Sequence, residues 1–151
     1  MLRFDPGEFS EDVAFADPKF LSLLDRFAIT LKSSVYPSTA KGTLARFSGN
    51  KDSRHYAINR KSDACDVFCN CDIAKAWTTA VQSFSGVGVY FDTHFREGDW
   101  PMLHVDTRPK PLLWYRDTGE RPGEYHYPWE PGFYKHLFEK LSRPVTMMVR
   151  P

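Results

Sequence analysis

The run Gly86-Val-Gly-Val-Tyr-Phe91 constrains this chain more than any other stretch. Six uncharged residues, two glycines and four that are β-branched or aromatic, make a strand with no polar side to give to water, so both of its faces must be covered. The glycines mark places where another backbone or a ligand comes close. They imply no phosphate-binding loop, because no helix start follows. Immediately upstream, Asp72 is an N-cap for Ile73, Ala76, Trp77, Ala80, Val81 and Phe84, which fall on one helical stripe, with Gly86 as the stop. That stripe is packing surface.

The same reasoning extends along the chain. Asp17-Pro18 supplies a cap and a first-position proline, and Phe20, Leu21, Leu24, Phe27, Ala28 and Leu31 recur at helical spacing over 18–32. Phe133, Tyr134, Leu137, Phe138 and Leu141 predict a last helix behind Pro131-Gly132. Strands are expected at Ala64 to Phe68, Met102 to Asp106 and Leu112 to Arg116, with an edge strand at Val145 to Val149 and one short strand near Val35 or within Leu44 to Phe47. Residues 1–16 mix acidic residues with isolated phenylalanines, an arm pinned to the surface by Phe4, Phe9 and Phe15. Residues 92–101 are expected as a polar loop. Eleven prolines, nine glycines and 15% aromatic residues suit many short connections around bulky core residues, an α+β domain rather than a helical bundle. At 151 residues and 42% apolar, the chain supports one domain over 1–151.

A formal net charge of +1, with no continuous stripe of Lys and Arg, argues against nucleic acid as a partner. No apolar run approaches the roughly 20 residues needed to cross a bilayer, so no membrane insertion is expected. Met-Leu-Arg-Phe-Asp-Pro-Gly has neither the basic nor the apolar part of a signal peptide, which leads to an expectation of cytoplasmic synthesis. Cys65, Cys69 and Cys71 crowd into seven positions, no disulfide framework, and are expected as free thiols. With His55 they form a rival metal-binding group, although zinc ribbons use two separated cysteine pairs.

Strand alternation places Ala64, Asp66 and Phe68 on one face, and likewise Met102, His104 and Asp106. With His55 entering from the preceding loop, two nitrogens and one oxygen would converge, the ligand set of an open catalytic zinc site. Each residue alone has a plainer explanation. A loop histidine often hydrogen-bonds at the surface, and a buried carboxylate often sits in a salt bridge or a cap. His94, His126 and His136 have no partner spacing.

Ser53-x-His55, Ser62-x-Ala64-x-Asp66-Val67, Gly86-Val-Gly-Val-Tyr90 and Leu103-His104-Val105-Asp106, in that order within residues 42–116, resemble the zinc-dependent D-Ala-D-Ala carboxypeptidases. That family includes bacteriophage endolysins and peptidoglycan L,D- and D,D-peptidases, and it shares its fold with the hedgehog signalling domain. The resemblance implies a small, mostly antiparallel sheet backed by helices, with zinc held by His55, Asp66 and His104 in a cleft on the open face. It further implies cleavage of an amide in the stem or cross-bridge peptides of peptidoglycan, by a phage endolysin or virion-associated enzyme that reaches the wall after release. The alternative is a non-catalytic zinc-binding virion component whose partners are other virion proteins.

Two departures from the family pattern matter. Four extra residues lengthen the loop after His55 and Ser62 replaces a glycine, which leaves Asp63 a rival to Asp66. Pro101 stands where many members carry the catalytic Glu or Asp, three residues before the last histidine. The base therefore has three candidates: Asp106 first, whose other role would be to orient a ligand imidazole, then Glu97 and Asp99. Arg46 matches a family arginine that anchors the substrate carboxylate or the oxyanion; a surface arginine is the plainer reading.

Overall fold

The computed structural model describes residues 3–117 and 124–143. Three α-helices and a six-stranded sheet make an α+β domain. The helices are α1 (Pro18–Leu31), α2 (Ile73–Ser83) and α3 (Phe133–Leu141). The sheet comprises β1 (Val35–Pro37), β2 (Ala64–Cys69), β3 (Gly86–Tyr90), β6 (Met102–Asp106), β7 (Leu112–Asp117) and β8 (Glu124–His126). A separate hairpin of β4 (His94–Phe95) and β5 (Gly98–Asp99) replaces the expected loop after β3, turning at Arg96 with φ of 57°. The sheet order is β1-β2-β6-β3-β7-β8, antiparallel at every step except β3 against β7. The expected strand at Val145 to Val149 lies outside the described residues.

Side-chain parity divides the sheet into two faces with different work. Cys65, Val67, Val87, Val89, Leu103 and Val105 point to the side covered by the helices, where Leu24 and Phe27 of α1 and Leu137 of α3 are fully buried. Each such side chain contributes about 1.5–3 kcal/mol by leaving water. α1 forms as its sequence predicts, with the Asp17 carboxylate accepting from the Lys19 N–H at 2.8 Å and Pro18 in the first turn. α2 is capped in the same way by Asp72. It stops at Ser83, so Phe84 lies past the helix in extended backbone and packs edge-on against Phe27 at 5.6 Å.

The opposite face carries Asp66, Phe68, Met102, His104, Trp114 and Tyr90. Register lines up Asp66, His104, Gly88 and Trp114 across β2, β6, β3 and β7, with Ala64, Asp106, Gly86 and Leu112 in the parallel row two residues away. The glycines of β3 are needed here, and what comes close to them is side chains of the neighbouring strands rather than another backbone. A Cβ on Gly86 would overlap the Asp106 carboxylate, and one on Gly88 would overlap the Trp114 indole. The strand is stripped of side chains so that its neighbours' large ones can lie across it.

Phe4 and Phe9 pin the N-terminal arm, packing edge-to-face at 5.7 Å. Phe15 does not: it is 44% exposed and lies against the equally surface-bound Phe47. Asp12 caps a short 3-10 turn over Val13–Phe15, and the chain then brings Ala16 beside Ser62, so the small residue goes inward. Of the two places expected for a short strand, Val35–Pro37 forms one. Leu44 to Phe47 makes only an isolated bridge between Arg46 and Tyr56.

Candidate metal centre

The loop carrying His55 has little regular structure, and hydrogen bonds to the arm and the sheet hold it. The Glu11 carboxylate accepts from the N–H groups of Leu44 and Ala45, both at 3.0 Å, and from that of Gly42, which adopts φ of 84°. Burial would raise the Glu11 pKa, but these donors and the Ser10 hydroxyl hold it below the usual carboxylate value. Next to that anchor, Arg46 N–H donates to the His55 carbonyl at 2.7 Å, and Ala57 N–H donates back to Arg46 at 2.8 Å. On the other side Asp66 N–H donates to the Thr43 carbonyl at 3.0 Å. The loop is thereby tied to both β2 and the His55 segment.

His55, Asp66 and His104 converge, all three buried. His104 Nδ1 lies 3.0 Å from both His55 Nε2 and Asp66 Oδ1, and the third side, His55 Nε2 to Asp66 Oδ1, is 3.4 Å. On its far side His104 Nε2 meets Asp106 Oδ2 at 2.8 Å. Asp106 is fully buried and is gripped by Arg108, whose Nε lies 2.9 Å from Oδ1 and whose backbone N–H donates to the same oxygen at 3.0 Å. The Arg108 guanidinium in turn lies 4.7 Å over the Trp114 ring. The Asp106 carboxylate faces the ring nitrogen turned away from the cluster, and its other lone pairs are occupied, the geometry of a residue that orients an imidazole.

Protons alone satisfy this cluster poorly. Among His55 Nε2, His104 Nδ1 and Asp66 Oδ1, two contacts at most can be hydrogen bonds, and His55 Nδ1 is buried with no partner. One cation would satisfy all three lone pairs. A tetrahedral zinc with N and O ligands at about 2.0–2.1 Å has those ligands about 3.3–3.4 Å apart, close to the observed triangle. With His104 Nε2–H donating to Asp106, the tautomer leaves Nδ1 as the free lone pair toward the cluster. The residues present therefore fit a metal ion.

The electrostatics agree. Burial opposes charge on Asp66, but the two imidazoles outweigh it and hold its carboxyl well below the ordinary range. Asp106 is depressed likewise, burial being overcome by His104 and Arg108. Burial would also discharge His104, yet Asp106 and Asp66 raise its pKa above the usual histidine value. The two carboxylates thus favour positive charge between them.

Both histidines of the triad line a cleft of about 290 Å3 whose walls include Arg46, Asp52, Arg108, Trp114, Tyr125 and Tyr127, with Asp66 buried behind them. No other His, Cys, Asp or Glu among the described residues joins the three. Three candidate ligands, two of them lining a cleft, match the pattern of sites that keep a coordination position open. Asp63 is not in the cluster; it pairs with Arg54, whose Nε lies 2.8 Å away, and accepts from the Thr107 hydroxyl at 2.8 Å. Strand parity explains the difference, since Asp63 lies just before β2 while Asp66 lies within it on the cleft face.

Arg46 is exposed on the cleft wall with its Nε donating to the Gly42 carbonyl at 2.9 Å. Glu97 and Asp99 do not border this cleft. Both are exposed on the β4–β5 hairpin, where Asp99 pairs with His94 at 2.6 Å. The hairpin instead lies over Tyr36 and Phe68, with Phe95 at 4.6 Å from the Phe68 ring. Cys65 and Cys69 face the helical side of the sheet, away from His55, so they do not share one site with it, and burial raises both thiols far above their usual pKa. Two features escaped sequence reasoning. Arg108 had a signal, since it lies on the Asp106 face two residues further on. Asp52 looked like an ordinary turn residue, yet it is the one carboxylate lining the cleft among the described residues.

No protein-family model, curated protein or solved structure matches this chain. The likeness to the D-Ala-D-Ala carboxypeptidases therefore rests on the order and spacing of the motifs alone.

Proposed function

We propose that the cleft is a zinc site and that the protein is a zinc-dependent peptidase acting on an amide in peptidoglycan stem or cross-bridge peptides, as a phage endolysin or virion-associated enzyme. The observation that carries this reading is the triangle of His55 Nε2, Asp66 Oδ1 and His104 Nδ1, whose two histidines line an open cleft. When bound, zinc supplies Lewis acidity, bringing the pKa of a water toward neutrality and polarising a carbonyl. The chain's own residues do the rest. Asp106 and Arg108 fix the tautomer and angle of His104. Arg46 offers its outward guanidinium nitrogens to a substrate carboxylate or a developing oxyanion. Asp52 is the carboxylate on the wall that can take and return a proton. Trp114 and Tyr127 narrow the cleft and limit the water around the reacting bond.

A non-catalytic zinc protein of the virion is the second reading. It is favoured by Pro101 at the position where a base is often found, and by the placement of Glu97 and Asp99 outside the cleft. Digestion of purified cell walls of several chemotypes by zinc-loaded protein, with mass spectrometry of the released fragments, separates the two. Peptidase action predicts new amine termini at one type of bond, abolished by His104→Ala. Intact walls in every case would leave the structural reading.

A further inference from the structure

The cleft does not end at its two histidines. Tyr127, on its wall, stacks flat against Trp129 with ring centroids 4.7 Å apart and planes inclined by 6°. Trp129 is 72% exposed, more than any other large apolar side chain among the described residues. Since the two rings are already in contact, nothing can slip between them. The outer face of the indole remains, a rigid flat surface backed by Tyr127 and so beside the cleft wall, which Tyr125, itself 43% exposed, also lines. Pro128 and Pro131 bracket Trp129 and restrict the backbone that presents it, so little freedom is lost when something covers it.

We infer that Trp129, backed by Tyr127, is a saccharide-stacking subsite that takes a pyranose ring of an N-acetylated amino-sugar chain beside the metal cleft. This rests on the wall-peptide reading, because a stem peptide whose amide lies over the triad is attached to a glycan that must leave through the cleft mouth. A pyranose presents a face of C–H groups that matches a flat indole while its equatorial hydroxyls stay in water. An anionic lipid surface fits less well: Glu124 and Glu130 flank this segment, both against His126 at 4.0 and 2.9 Å, and Arg116 beside Tyr125 is already paired with Asp92 at 2.9 Å.

The test uses the full chain, with and without zinc, and two glycan probes: a β-1,4-linked N-acetylglucosamine tetramer by calorimetry, and peptide-stripped glycan strands by co-sedimentation. The wild-type protein binds both, metal or no metal. Trp129→Ala weakens binding by about tenfold or more, the loss of one covered aromatic face, whereas Trp129→Phe retains most of it. Absence of wild-type binding, equal binding by Trp129→Ala, or a Trp129-dependent preference for phosphatidylglycerol vesicles overturns the subsite. A glycan-free stem peptide, assayed in parallel with wild-type protein, keeps the two ideas apart. Cleavage without glycan binding removes this inference and leaves the peptidase; Trp129-dependent glycan binding without cleavage does the reverse.

Discussion

Replacing Asp106 by Asn tests how the site is held together. Asp106 accepts from His104 Nε2 at 2.8 Å and from the Arg108 side chain and backbone, all in a fully buried position. Asparagine keeps the shape and one acceptor oxygen. If that oxygen serves His104, the amide NH2 confronts the Arg108 guanidinium, donor against donor, and a charge-assisted hydrogen bond of about 1.5–3 kcal/mol is lost. The imidazole also loses the negative charge that makes it a stronger ligand. Outer partners of this kind are worth about 10- to 100-fold in metal affinity, or roughly 1.4–2.8 kcal/mol. Zinc competition against a chromogenic chelator at neutral pH should show that loss, with melting of the metal-free protein lowered as well. Were Asp106 the base, affinity would stay put and turnover alone would fall by about 100- to 10,000-fold. An Asp106→Asn protein that binds zinc within about twofold of wild type refutes the orienting role.

Zinc must displace the His104 proton, so apparent affinity should rise with pH, about tenfold per unit below the raised His104 pKa, as chelator titration across pH would show. In the metal-free protein, the His104 contribution is full below about pH 6.5 and fades as pH rises through its folded value. Those of Asp66 and Asp106 are full above about pH 4 and fade as pH falls through theirs, so melting should peak between these limits. Asp63→Asn should keep zinc and lose some stability through Arg54 and Thr107, while Asp66→Asn should lose zinc; metal analysis of both variants checks this. Leu24→Ala, at a fully buried position, should cost about 2–5 kcal/mol in denaturant unfolding, whereas His55→Ala, which removes a buried unpaired nitrogen, should cost the metal-free protein far less.

Much of the fold was legible because it follows from local rules. The caps at Asp17 and Asp72 and the stripes behind them need only helix geometry, and parity put His104 and Asp106 on one face of their strand, which the register of β2 against β6 joins to that of Asp66. What escaped depends on contacts distant in sequence. Gly86 and Gly88 announced a close approach, but that side chains from β6 and β7 fill it appears only once the strand order is known. Phe15 and Ala16 are neighbours with equal claim to the core until Ser62 pairs with the latter. The site divided along the same line: its inner residues were visible as motifs, whereas Asp52, Arg108 and the Tyr127–Trp129 ledge gain meaning from the cleft they surround.

The most direct test of the central claim is the metal content of purified protein, measured by elemental analysis on wild type and single variants. One zinc per chain is predicted for wild type and Cys69→Ser, with loss in His55→Ala, Asp66→Ala and His104→Ala. Full zinc in His104→Ala together with its loss in Cys69→Ser would contradict the account, moving the metal to the cysteines on the other face of the sheet.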